Sequence, residues 1–261
     1  MDKIRTIIGK EWSEVFKNRL VLFTVAFLPL VFLALPFLTV VLTQELAEED
    51  TSEISGIPGY DQYCEELSGT QCMQIYFLDL YALMFLILPI AIPTTIAAYS
   101  IVGEKQTRSL EPLLATPITT PELLSAKMLA AAIPAILATW LGYIAYVIGM
   151  SFFIESEIVV RLLDSLWIVA IFVVGPLLTL LAVCAAMMVS SRVTEPRVAE
   201  QLSALVILPI ILVIVAQSAG LILLDRQLIL LIGLVVFIID IILVYLTIRL
   251  FERENILTRW K

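Results

Sequence analysis

The sequence predicts an all-α, polytopic membrane protein with six transmembrane helices, an N-terminal interfacial helix and one short helix on the inner face. Three observations carry this. The chain is 61% hydrophobic, and it holds six apolar runs of the ~20 residues or more that cross a ~30 Å hydrocarbon core. Those runs are Leu20–Thr43, Phe77–Val102, Met128–Ile154, Ser165–Ser191, Gln201–Leu224 and Gln227–Ile248, and only Asp79 and Asp240 are charged within them. Lys and Arg, finally, gather on one set of connections, as they do on the cytoplasmic side of membrane proteins.

That bias sets the orientation. The N-terminus (Lys3, Arg5, Lys10, Lys17, Arg19), the second-to-third connection (Lys105, Arg108, Lys127), the fourth-to-fifth connection (Arg192, Arg197) and the tail (Arg249, Arg253, Arg259, Lys261) hold all but two of the 16 cations. Arg161 and Arg226 remain for the opposite face. Both termini are therefore expected in the cytoplasm of a multi-pass cell-membrane protein, with residues 1–261 as a single transmembrane domain.

Before the first span, Ile4, Ile8, Trp12 and Val15/Phe16 recur at three and four, with Lys3, Lys10, Ser13, Glu14 and Lys17 opposite. This spacing predicts an amphipathic helix over residues 1–19 lying along the inner membrane surface; the plainer alternative is a charged flank that orients the first span. The first apolar run lacks a small-residue cleavage pattern after it, so it is expected to stay as a span.

The connection 44–76 falls outside. It carries Glu45, Glu48, Glu49, Asp50, Glu53, Asp61, Glu65 and Glu66 and no Lys or Arg, which accounts for the whole formal net charge of −8. It reads as a solvated loop, or as a surface that collects cations or docks a partner. Cys64 and Cys72 lie here, where oxidation is possible, and a bridge between them is one of two open states. Cys184, among Ala and Met in the fourth span, reads as a small apolar residue. The chain has no His, which excludes a His-based metal or acid–base site.

Residues 103–127, GEKQTRSLEPLLATPITTPELLSAK, form the most informative segment. Gly103 is expected to end the second span, and Thr107–Ala115 is helix-competent with Leu110, Leu113 and Leu114 on one side. Thr116-Pro117 stops that helix. Thr119-Thr120-Pro121-Glu122 then supplies a hydroxyl cap, a first-turn proline and a carboxylate at the positive helix end, opening the third span.

The run from Glu104 to Ile118, with Glu122-Leu-Leu and Lys127 after it, resembles the pattern of ABC-2 type permeases, the membrane subunits of ATP-binding-cassette exporters. Six spans, the amphipathic start and the large outer loop agree. Ala126 departs from the Gly that many relatives carry before the Lys, and both residues are small. The resemblance implies that Glu104–Pro117, including Thr116 and Pro117, couples to a cytoplasmic ABC ATPase. Glu104 and Glu111 are then the polar contacts, and Leu110, Leu113 and Leu114 an apolar plug; the alternative for the leucines is a membrane-facing stripe. It also implies a second permease copy, or a related one, completing a dimer around the path, and an outer re-entrant hairpin between spans five and six.

No G-x-x-x-x-G-K-[ST] phosphate loop is present, so the chain is expected not to be an enzyme, and ATP and Mg belong to the partner. Nothing points to nucleic acid.

In the third span Ala131, Ala135, Ala138, Gly142, Ala145 and Gly149 form a small-residue stripe, and Gly175, Thr179, Ala182, Ala186 and Ser190 form another in the fourth; both predict close helix contacts. Pro29, Pro36, Pro89, Pro93, Pro134, Pro176 and Pro209 predict kinks. Ile-Leu-Pro-Ile occurs at Ile87–Ile90 and Ile207–Ile210, too short to define a repeat. Asp79 is expected at the outer membrane interface. Asp240, nine residues before Arg249, sits ~13 Å from the inner end of the last span, where a carboxylate requires a partner. It is a candidate residue of the translocation path or, alternatively, a neutral interhelical hydrogen-bonding group. An ion-gradient-driven transporter or channel using Asp240, and a membrane scaffold, stand as the other functional readings.

Overall fold

A computed structural model describes residues 2–17, 19–46, 69–106, 119–222 and 224–251, with no strand among them. The helices are α1 (Asp2–Val15), α2 (Arg19–Leu46), α3 (Gly69–Met84), α4 (Leu88–Gln106), α5 (Thr120–Met150), α6 (Ser156–Val159), α7 (Ser165–Val169), α8 (Gly175–Arg192), α9 (Pro196–Ser203), α10 (Leu208–Ser218) and α11 (Arg226–Leu250). Among the described residues, six stretches are long and apolar enough to cross a membrane: Val21–Leu42, Gln71–Glu104, Thr120–Met150, Ser156–Arg192, Pro196–Ser218 and Arg226–Leu250.

The second and fourth stretches, 34 and 37 residues long, exceed what one crossing needs because each is assembled from pieces. The second joins α3 to α4 through a 3-10 turn, Phe85–Ile87. Pro89 explains the turn: it has no N–H to give the carbonyl of Phe85 four residues back, and the N–H of Leu88 bonds that carbonyl instead. The fifth span repeats the solution. Ala204–Ile207 is a 3-10 turn in which Leu208 N–H bonds the Leu205 carbonyl, four residues before Pro209. The two Ile-Leu-Pro-Ile segments thus share a local structure with a local cause.

The fourth span breaks differently. A π stretch, Ala170–Val174, precedes Pro176, and the N–H of Gly175 reaches back to the Ala170 carbonyl. The carbonyl of Ile171 then loses both of its usual donors, since Gly175 is engaged and Pro176 has no N–H. Trp140 of α5 supplies the replacement, its Nε1 donating to Ile171 O at 3.3 Å. This is how a break is tolerated in lipid: a neighbouring side chain satisfies the freed group.

Helices α4 and α8 pack against each other at the centre, flanked by α5 and by α11, which lies chiefly on α8. The α8 stripe of Gly175, Thr179, Ala182, Ala186 and Ser190 is buried throughout. The α5 stripe is buried only in its inner part, at Ala131 and Ala135, and Ala145 is exposed. Gly149 lies under the ring of Phe37 in α2, and a Cβ on Gly142 would sit 3.3 Å from the Phe85 ring. The outer helices α2, α10 and α11 present apolar side chains such as Leu30, Leu212 and Leu234 outward, the surface a lipid environment accepts and water does not.

Three expectations change. Gly103 does not end the second span; α4 continues to Gln106, whose side chain donates to Thr194 O at 3.1 Å. The outer re-entrant hairpin is absent among the described residues: α10 ends at Ser218, Gly220 turns the chain at φ 67°, and α11 begins at Arg226. The spans also extend past their apolar limits, so Glu104, Lys127 and Glu200 all lie on spanning helices.

Candidate functional site

Residue 106 ends α4 and residue 119 caps α5, so the inner ends of these helices are the two roots of the segment 107–118. The α5 root is fixed by Glu122, whose carboxylate accepts from both the N–H and the hydroxyl of Thr119 at 2.9 Å. One turn further on, Lys127 is buried, and Glu11 of α1 and Glu104 of α4 are buried with it.

These three groups form one cluster. Lys127 Nζ donates to Glu11 Oε1 at 2.8 Å and to Ser100 Oγ at 2.9 Å, and it lies 2.9 Å from Glu104 Oε2. Ser100 in turn donates to Glu11 Oε2 at 2.6 Å. Lys127 thus makes two hydrogen bonds, and its charge also faces Glu104, whose Oε2 is close enough for an ion pair but lacks hydrogen-bond geometry. Lys10 adds a second cation from the rim, 3.2 Å from Glu104 Oε1 and 3.6 Å from Glu14. The two buried carboxylates, Glu11 and Glu104, are thus met by the two ammonium groups of Lys127 and Lys10, while Glu14 stays exposed; pairing is the condition for keeping charge out of water.

Partial burial works to lower the Lys10 ammonium, but the Glu104 carboxylate, with Glu14 and Glu11, outweighs it and raises the group above 10.5. A raised cation contributes stability in full below the unfolded value and loses it as pH rises beyond that. This contribution is therefore constant through neutral pH and fades only in strong alkali.

Helix α1 is held by packing as well. Ile7 is buried against Leu123 and Ala126 of α5, and Trp12 Nε1 donates to Ala130 O at 3.0 Å. Ala126 is fully buried in this contact, so a small residue is required there whether Gly or Ala. The buried line of α1 is Ile7, Glu11 and Val15. That is about one residue's rotation from the expected Ile4, Ile8 and Trp12 face, which instead borders an open groove with Ile133. The rotation follows from Glu11, which must turn inward to meet Lys127.

Helix α4 is also tied to the fifth span: Thr95 Oγ1 donates to Glu200 Oε1 at 2.7 Å, and Ala98 and Val102 bury Ala199.

Glu104 thus has its carboxylate engaged within the chain. Leu110, Glu111, Leu113, Leu114, Thr116 and Pro117 lie outside the described residues, as does Cys64; Cys72 is buried near the start of α3. Asp79 is buried among protein side chains: it accepts from Trp167 Nε1 at 3.0 Å and pairs with Arg161 Nε at 3.7 Å. Asp240 is enclosed between α11 and its neighbours, 2% exposed, with neither carboxylate oxygen hydrogen-bonded.

Glu11, Ser100 and Glu200 were not singled out from sequence, and Lys10 was read only as part of the polar face of the N-terminal helix. For Glu11 a signal exists: a carboxylate interrupts the i, i+4 line of Ile7 and Val15. Ser100 and Glu200 carry none, since a hydroxyl in an apolar span and a Glu beside one are unremarkable until a partner is seen.

Compared with known protein families, residues 5–249 match the one described as ABC-2 family transporter protein. No curated protein matches the chain significantly.

Proposed function

Because the chain belongs to the ABC-2 family of transporter proteins, and is thereby a multi-pass permease component of an ABC transporter that partners an ABC ATPase, we propose that it forms the path of an ATP-driven exporter and is driven through the segment 103–127. The observation that carries this reading is the Glu11–Lys127–Glu104–Ser100 cluster. It joins α1, the end of α4 and the start of α5 into one unit, so a force applied to residues 107–118 reaches both helix roots and α1 together.

In this reading two ATPase subunits, with ATP and Mg, close on nucleotide and push on the coupling segments of two permease copies, or of a copy and a relative. Leu110, Leu113 and Leu114 enter the ATPase surface, Glu111 gives the polar contact, and Thr116-Pro117 ends the lever. Glu104 acts behind them as a positioning residue that holds the root of the segment against Lys127. Asp240 is the polar group of the path, reached when α11 parts from α8. Both termini are cytoplasmic, the acidic loop faces outward, and a Cys64–Cys72 bridge restrains the end of that loop.

The deciding experiment is mild-detergent purification of the tagged chain, mass spectrometry of what co-purifies, and ATP hydrolysis in reconstituted vesicles. A stoichiometric ATPase carrying a phosphate-binding loop is expected; an ATPase-free chain that still moves solute down an ion gradient would remove the reading. Within the complex, Glu111→Lys should leave expression intact and uncouple hydrolysis from transport. Unchanged coupled transport would take Glu111 out of the interface.

A further inference from the structure

Asp240 lies on the buried line Ile229, Gly233, Val236, Asp240 and Thr247, the face by which α11 packs on α8. Gly233 makes the approach close, since a Cβ there would stand 3.1 Å from Val174. Asp240 itself is 2% exposed, so no lipid headgroup and no second copy of the chain reaches it.

No cation on the packed elements is placed to neutralise it. On α8 the only cation is Arg192, exposed at the inner end, and the titratable group nearby is the Cys184 thiol, which also meets Thr247. The fourth-span segment 165–174 has no titratable residue. On α5, Lys127 is held by Glu11 and Glu104, Glu122 caps the helix, and Tyr143 and Tyr146 donate to Leu162 O and Leu78 O. On α11 itself Arg249 lies over the Tyr245 ring, about 13 Å further along the axis, and Arg226 about 21 Å the other way.

An ionised carboxylate at such a depth costs about 2.5–3.5 kcal/mol even on insertion scales, and nothing here offsets it. A metal ion needs several oxygen or nitrogen ligands, and among the described residues no group of three or more metal-ligating His, Cys, Asp or Glu side chains exists. A proton needs only one carboxylate. The acid form can also do what the ionised form cannot: donate to a carbonyl of its own helix, as Thr247 does to Leu243 O and Thr179 to Gly175 O nearby.

We propose that Asp240 is a proton-binding site in the α8–α11 seam, protonated while the seam is closed and releasing its proton to water when the seam opens. Uptake forms the carboxyl O–H bond and removes one negative charge from the seam; release breaks that bond and hands the proton to water. The closed-seam protonation stands without any transport assignment. Its linkage to the conformational cycle rests on the permease reading.

The test is infrared difference spectroscopy of the whole chain in lipid vesicles, without nucleotide or ATPase, so that failure of this site and failure of the permease reading are separate results. At pH 7 the wild type should show a protonated-carboxyl C=O band that is missing from Asp240→Asn and displaced in Asp240→Glu. Isotopically labelled aspartate should move the same band in the unsubstituted protein, which assigns it to an aspartic acid, and its persistence in Asp79→Asn should separate it from the other buried aspartate. The band should fade only at pH above the ordinary carboxylate range. A wild-type spectrum with no such aspartic acid band at pH 7 would show the group ionised and overturn the proposal.

Discussion

At the inner end of the bundle three helices meet through full charges; at the outer end they meet through neutral donors and rings. Inside, Lys127 bridges Glu11 and Glu104 within a space that excludes water. Outside, Tyr143 donates to Leu162 O at 2.7 Å and Tyr146 to Leu78 O at 3.2 Å, while Phe85 lies stacked on Tyr146 with ring centres 5.2 Å apart. Among the described residues Asp79 is the buried acid of the outer end, and its shorter contact is to the neutral indole of Trp167. The contrast teaches what each end does. A charge cluster links separate helices and loses everything when one member goes; aromatic donors satisfy carbonyls one at a time, so each loss is local.

The sharpest way to break the comparison is Lys127→Met. It leaves Glu11 without its cation and Glu104 with only the rim ammonium of Lys10, and removing one member of a buried pair costs about 3–5 kcal/mol. A clear drop in the thermal midpoint in detergent and loss of coupled ATP hydrolysis are expected, with partial recovery in Glu11→Gln/Lys127→Met. A midpoint within experimental error of wild type would mean that the cluster does not hold α1 in place.

Tyr143→Phe tests the outer end. It strips the Leu162 carbonyl of its donor inside the bundle, a loss of about 1–3 kcal/mol, and it should leave α1 docking untouched. If instead Trp12 fluorescence reported release of α1, the two ends would not be independent. Trp140→Phe should cost less, about 0.5–1.5 kcal/mol for the hydrogen bond to Ile171 O plus some lost ring contact, confined to the π stretch.

Lys10→Ala should have the smallest effect. Lys10 is substantially exposed, and such pairs contribute about 0–1 kcal/mol. Its share should also be flat with pH through neutrality, because the raised ammonium stays charged until well into alkali. A stability change near neutral pH that disappears in Lys10→Ala would contradict that assignment.

The six spans were legible because apolar length is a one-dimensional property. So was the α5 start, where Thr119, Pro121 and Glu122 act within a single turn. The central cluster was not, because Glu11 and Lys127 are separated by two whole spans and the loop between them, and only tertiary packing brings them together. The partners of Asp79 were hidden for a related reason, since Trp167 and Arg161 reach it from the fourth span only through packing. The 3-10 turns before Pro89 and Pro209 follow from a missing N–H that the sequence states openly. The π stretch before Pro176 has no equivalent cue, since the same missing donor is resolved there by widening the turn.

That widened turn has a geometric consequence. A π turn accommodates one residue more than an α turn, so it shifts the azimuth of everything downstream by about 100°. The fourth span therefore carries two independent phases on one axis. Upstream, Trp167 points at Asp79; downstream, Gly175, Thr179, Ala182 and Ala186 point into the bundle. Deleting a single residue between Ala170 and Val174 would restore a uniform helix and force the chain to choose, either aiming the indole away from Asp79 or turning the small-residue stripe toward lipid.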